Sequence, residues 1–187
     1  LIQIYATAGL LGTGIVVGWC FGREYADRTV VSLYASATAR TSVATAKLVL
    51  LAAWSTAVGM GVVATAWLIG IASGLGLPNP ADMAILGRLG ALAVLSGLLA
   101  LPVALPASVG RGYLPAIGSL LMLVVAAQVA VVAGIGGWWP WSTAAVWAMG
   151  TTAGSTPVAP ALLAVVPMVA AAGAWATVAW WRRAEVT

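Results

Sequence analysis

Six charged residues, Arg23, Glu24, Asp27, Arg28, Arg40 and Lys47, crowd into one short window of a chain in which charged residues are only 6% of the total. Such groups can move protons or anchor a polar contact. Glu24 and Asp27 stand too close to Arg23 and Arg28 in sequence to look free for acid–base work, and the window is the only cluster of ionisable residues. With no His, serine or cysteine triads, zinc-protease motifs and histidine relays lack their usual base. The single Cys20 has no second cysteine to join, which excludes a disulfide or a cysteine metal site within one subunit. There is no G-x-x-x-x-G-K-S/T phosphate loop, so any ATP chemistry would belong to a partner. We therefore assign no catalytic residue, bound metal or cofactor to this chain and read the window as a place of contact.

The elements that position this window are apolar. Hydrophobic residues make up 63% of the 187 residues, whereas soluble domains carry roughly 25% charged residues, so there is too little polar surface to coat a soluble fold. Five stretches reach the roughly 20 apolar residues that a membrane-spanning helix needs: Ile2–Phe21, Leu48–Leu77, Ile85–Pro106, Tyr113–Gly136 and Val158–Trp181. None shows the alternation of a barrel strand. The expected fold is all-α, a single transmembrane helical bundle over residues 1–187, with a cytosolic coupling segment at 22–47 and an outer aromatic segment at 137–157.

Basic residues near span ends are retained in the cytoplasm. Placing Gly22–Lys47 inside collects Arg23, Arg28, Arg40, Lys47, Arg111, Arg182 and Arg183 on that side and leaves only Arg88 outside. Leu1 then lies outside with no charged flank or signal peptide, from which we expect a further span upstream, six in all. The net charge of +4 is scattered over three loops and the tail, not drawn into a stripe with interleaved aromatics, so topology explains it and nucleic acid does not.

Inside the spans no ionisable group is expected at the midplane, which disfavours proton- or sodium-coupled transport by this chain alone. Gln128 is the most polar residue deep in a span; its amide suits interhelical hydrogen bonding, with a substrate contact as the sharper alternative. Gly14, Gly18 and Gly22 repeat at four-residue spacing and predict a smooth strip for a neighbouring helix. Pro102, Pro106 and Pro167 predict bends or hinges. Trp138, Trp139, Trp141 and Trp147 predict an outer aromatic belt, with Ser142–Met149 as a short helix on or in the membrane. Trp175, Trp180 and Trp181 followed by Arg182 and Arg183 predict an inner anchor.

Within the window, Thr29 can cap a short helix whose Val30, Leu33, Tyr34 and Ala37 share one side. The order Phe21, Glu24, Thr29, Leu33, Arg40, Lys47 resembles the permease subunits of type-two ABC exporters, especially the antibiotic and bacteriocin resistance branch. Those permeases carry an F-x-x-E-x-x-x-x-T stretch after their second span, then a leucine-containing helix, a proline turn with Arg and a Lys opening the next span. The proline expected three residues before the Arg is Ala37 here. The outer segment before the last span also looks like that family's re-entrant element.

The resemblance implies a dimeric or pseudo-dimeric pore in the bacterial cytoplasmic membrane, with a second permease copy or homologue. A separate ATP-binding cassette subunit would hold ATP and magnesium. It implies coupling through Glu24 and Arg40 as polar anchors, Thr29 as a cap and Leu33 as a packing knob. The cargo would be amphipathic or apolar, such as an antibiotic, a peptide or a lipid. A non-transporting membrane scaffold or assembly factor is the alternative; a lipid-modifying enzyme would need a clustered ionisable pocket.

Overall fold

In a bilayer every backbone amide must be satisfied within the protein, and uninterrupted apolar sequence meets that demand by forming helices. The computed structural model describes residues 2–27, 39–74, 76, 79–150 and 158–183, and no strand occurs among them. The helices are α1 (Ile2–Ala26), α2 (Arg40–Ala72), α3 (Pro80–Ala100), α4 (Ala104–Val109), α5 (Tyr113–Val132), α6 (Pro140–Met149) and α7 (Val165–Arg183). A 3-10 turn, Leu101–Val103, joins α3 to α4, and another, Pro160–Ala164, leads into α7. Among the described residues, five helical stretches are long and apolar enough to cross a membrane, with α3 and α4 forming one of them. The chain is a multi-pass membrane protein with the all-α architecture expected.

The helix ends differ from the hydropathy boundaries for identifiable reasons. α3 begins at Pro80, ahead of Ile85, because Asn79 accepts hydrogen bonds from the amides of Ala81 (2.9 Å) and Asp82 (3.0 Å), while the Asp82 carboxylate accepts from the Asn79 amide (3.1 Å). This reciprocal cap, with proline in the first turn, satisfies the orphan donors of the helix start. α1 continues through the first charges to Ala26, and α2 starts at Arg40, well before Lys47. The ends of the charged window are thus continuations of the spanning helices. At 33 residues α2 is about 50 Å long at 1.5 Å per residue, against a hydrocarbon core of about 30 Å.

The glycine strip of α1 is an interface. A Cβ at Gly14 would fall 2.5 Å from Leu120, one at Gly18 2.8 Å from Ala116, and one at Gly22 2.9 Å from the Gly112 backbone. Only hydrogen fits at these points, so the strip lets α1 lie directly on α5. α1 also packs on α3, and α2 packs on α3 and α7. The main core gathers Leu10, Val17, Phe21, Leu48, Leu99, Leu120 and Trp181. Pro102 lies in the 3-10 turn that breaks the third span, where its ring fills the space over Gly173 of α7, 2.7 Å from a Cβ position there.

The window's two ends, the α4–α5 turn and the end of α7 meet at one end of the bundle, while the α2–α3 connection lies at the other. Single cysteines at Ser42 and Ala81, both exposed, in a Cys20→Ala background should be labelled by an impermeant thiol reagent from opposite sides of the membrane; same-side labelling would contradict this arrangement. Gly22→Ala should destabilise the reconstituted protein by about 1–3 kcal/mol in denaturant unfolding, because its neighbour is backbone that must shift. Gly12→Ala, with open space around it, should leave stability unchanged or slightly raised.

Candidate functional site

The end of the bundle expected to face the cytoplasm, called the inner end, is organised around Lys47. From the second turn of α2 its ammonium reaches across to α1, where it pairs with the Glu24 carboxylate and donates to the Cys20 carbonyl (2.9 Å). Both side chains of the pair are only 17% exposed. The Lys47 nitrogen lies 5.2 Å from the centre of the Phe21 ring and 5.6 Å from the Trp181 ring, so two aromatic faces complete its surroundings. Those rings meet edge to face, with centroids 5.8 Å apart and planes at 86°. The Trp181 indole N–H donates to the Ser108 hydroxyl of α4 (2.9 Å), which in turn donates to the Ala104 carbonyl (2.8 Å).

Helices α1, α2, α4 and α7 are joined by this one constellation. A cation with no carboxylate partner would be costly this far from water, and a carboxylate without its cation equally so, so each residue's place depends on the other. By contrast, Arg23 and Asp27 form a one-turn pair on α1 at 3.1 Å with both side chains about half exposed, a geometry of little energetic consequence.

The site residues expected from the sequence fall differently within this frame. Glu24 is present as a half-buried group whose polar contact is within the chain, to Lys47. Arg40 is the first residue of α2. Thr29 and Leu33 lie outside the described residues. Trp181, expected in an inner anchor at the headgroups, is instead 1% exposed, because its N–H finds a hydroxyl inside the bundle. Trp175, at 74% exposed, does face outward. Lys47 stood in the sequence as the residue that opens a span; its partner lies 23 positions away, and nothing local to it signals the pairing.

At the other end, α6 is not a surface helix. Trp141 donates its indole N–H to the Leu99 carbonyl of α3 (3.1 Å), Ala144 and Ala148 pack with Leu92, and the Arg88 guanidinium stands 3.1 Å from the Cβ position of Gly150. These contacts ascend α6 as they descend α3. The two helices therefore run antiparallel over about 16 Å of α3, and Leu99 lies about 28 Å along the span from Pro80 at 1.5 Å per residue. The aromatic segment thus packs inside the bundle along α3. Its start is secured by Ser142, whose hydroxyl donates to the Gly136 carbonyl (2.7 Å), and Thr143, which donates to Trp139 (2.7 Å).

Where α6 meets α1, α3 and α5, a cavity of about 40 Å³ is lined by Thr7, Ser96, Gln128, Trp141 and Ser142, among others. Its hydroxyls and amide give it the room and polarity for water. The Gln128 amide donates to the Thr7 hydroxyl (3.2 Å), the interhelical hydrogen bond its place in the span suggested. Among the described residues no group of His, Cys, Asp or Glu could hold a metal ion.

The inner constellation predicts strong coupling in a double-mutant cycle. Glu24→Gln and Lys47→Met should each destabilise the protein, and the double variant should lose less than the sum of the two, by about 1–3 kcal/mol in denaturant unfolding. Additive losses would mean that the pair carries no mutual stabilisation.

In comparisons with known proteins, the chain matches no family model, no curated protein and no solved structure.

Proposed function

We propose that this chain is the membrane-spanning permease subunit of an ATP-driven exporter of the type-two ABC kind, moving amphipathic or apolar compounds such as antibiotics, peptides or lipids out of a bacterial cell. The observation that carries this reading is the clamp between the inner ends of α1 and α2. Glu24 and Lys47 tie α1 to α2 on either side of the sequence that contains Thr29 and Leu33, so a push on that sequence would be delivered to both spanning helices together. A coupling segment needs that mechanical property. The permease contributes no catalytic residue; ATP and magnesium belong to a separate ATP-binding cassette subunit docked on the loop.

In this reading, ATP binding draws two ATPase subunits together and shifts the paired helices toward an outward-open state. α1 carries the movement to α5 through the glycine strip, and α6, lodged between α1, α3 and α5, is the outer element that must yield as cargo leaves. Two permease copies or homologues would enclose the path. Within the described spans, Arg88 is the only charged residue away from the inner end and outer cap, which favours an energy source in the partner over a proton relay. The absence of a counter-ion at the midplane fits amphipathic or apolar cargo better than a strongly charged compound.

The test is transport in vesicles containing the permease and its ATPase. Export should persist with an uncoupler, stop when the phosphate-loop lysine of the ATPase is replaced, and fall in Arg40→Ala at normal membrane abundance. Glu24→Ala would also remove the Lys47 partner, so its transport is read only at normal membrane abundance. Loss with uncoupler and persistence without ATP hydrolysis would contradict the proposal. A chain that copurifies with no ATPase would favour a scaffold.

A further inference from the structure

The cavity between α1, α3, α5 and α6 has groups in its wall whose hydrogen bonding is incomplete. Ser142 and Trp141 are engaged, the hydroxyl with the Gly136 carbonyl (2.7 Å) and the indole N–H with the Leu99 carbonyl (3.1 Å). Hydroxyls elsewhere in the spans donate to a carbonyl of their own helix, Thr56 to Ala52 (2.8 Å) and Thr177 to Gly173 (2.8 Å) among them. Those facing the cavity do not. Among the described residues Ser96, only 5% exposed, makes no hydrogen bond, and the Thr7 hydroxyl accepts from Gln128 but donates to no group. The Gln128 carboxamide uses one N–H on Thr7 and retains a carbonyl oxygen and a second N–H. α1, α3 and α5 thus bring unmet donors and acceptors to one space of about 40 Å³.

The rest of the wall decides what can meet them. Leu10, Leu92, Leu99, Val124 and Ala145 are apolar, and no described lining residue is charged. Water satisfies the polar groups and leaves the apolar wall without a partner. A charged group would lie here with no counter-ion. An uncharged group that hydrogen-bonds at its tip and carries hydrocarbon behind it matches both surfaces. Volume sets its size: an apolar cavity of about 150 Å³ takes benzene, so about 40 Å³ admits one small end group and not a whole amphipathic molecule. Gln3, which lines the cavity one turn before Thr7, is exposed, so the cavity reaches the surface there and the remainder of such a molecule has a way out.

We propose that this cavity binds the uncharged, hydrogen-bonding end of an amphipathic molecule, a hydroxyl or a carboxamide, held by Gln128, Thr7 and Ser96, with the first carbons of its chain against Leu10 and Val124. Gln128 is the central contact, since it alone of the three presents both a donor and an acceptor beyond the hydrogen bond that ties α5 to α1. Ser96 adds α3 to the same group. Naming the occupant as cargo rests on the transport reading, but the binding does not, and it is measured on this chain without an ATPase; its failure and the failure of ATP-driven export are therefore separate results.

Photolabelling of the full chain tests this, in nanodiscs of phosphatidylcholine, a lipid with no free hydroxyl or carboxamide. The probe is octanol carrying a diazirine in its chain, and adducts are mapped by peptide mass spectrometry. They should concentrate in residues 3–10, 124–131 and 141–149, which line the cavity. Unlabelled octanol and octanamide should displace the probe about tenfold better than nonane, which lacks the polar end, as two neutral hydrogen bonds provide; octylammonium should do no better than nonane. Gln128→Leu should bring octanol and nonane to parity, and Ser96→Ala should keep part of the preference. Ala145→Phe, which fills the cavity, should remove these adducts, while Gly118→Leu, in open space on α5, should change nothing. Because octanol and nonane are compared on the same variant, their ratio reports the polar contact even in a less stable protein. Adducts spread along the lipid-facing residues, as follows if water alone fills the cavity, equal displacement by nonane in the wild type, or an unchanged ratio in Gln128→Leu would overturn the proposal.

Discussion

One ammonium group holds the inner end of this bundle together. Lys47 is shared between a carboxylate, a backbone carbonyl and two aromatic rings, on helices far apart in sequence, and the rings in turn fix Trp181 against Ser108. Removing the charge at so little exposed a point would leave Glu24 without its cation and two aromatic faces without their centre. The Gln128–Thr7 hydrogen bond links α5 to α1, and the Trp141–Leu99 hydrogen bond links α6 to α3. Elsewhere close packing does the work, as expected where lipid removes the hydrophobic drive between helices.

That packing depends on residues too small to be noticed by hydropathy. Gly14, Gly18 and Gly22 bring α1 onto α5, while Gly59 and Gly97 seat α2 on α3. Together they set the frame within which α6 packs. α6 is held at its start by hydrogen bonds to Gly136, Trp139 and Leu99 and along its length by Leu92, and the Arg88 guanidinium stands near its end at Gly150. An ion pair clamps one end of the bundle, and α6 fills the space between α1, α3 and α5 toward the other.

Much of this architecture was legible in the residues. Long apolar runs mark all five spans, since a helix is the form that apolar backbone takes in lipid, and the four-residue glycine spacing marked the α1 interface. The Asn79–Pro80–Ala81–Asp82 cap was present too, and it explains why α3 starts before Ile85; hydropathy alone passes over it because its residues are polar. The Glu24–Lys47 pair was not legible, because each residue has local features of its own and only the approach of α1 to α2 joins them. Trp181 misled for a related reason: an indole next to arginines reads as an interfacial anchor until Ser108 is placed beside it. Thr29 and Leu33, the centre of the expected coupling helix, lie outside the described residues, and their roles rest on the resemblance.

The central claim is that the inner ends of α1 and α2 move as one unit because Lys47 binds them. Pulsed electron–electron resonance between spin labels at Ala26 and Ser42, in lipid nanodiscs, measures this most directly. The account predicts a single narrow distance distribution in the otherwise native chain, unchanged when nucleotide and the ATPase are added, and a broad one in Lys47→Gln. A distribution already broad with Lys47 in place, or one that Lys47→Gln leaves narrow, would contradict it.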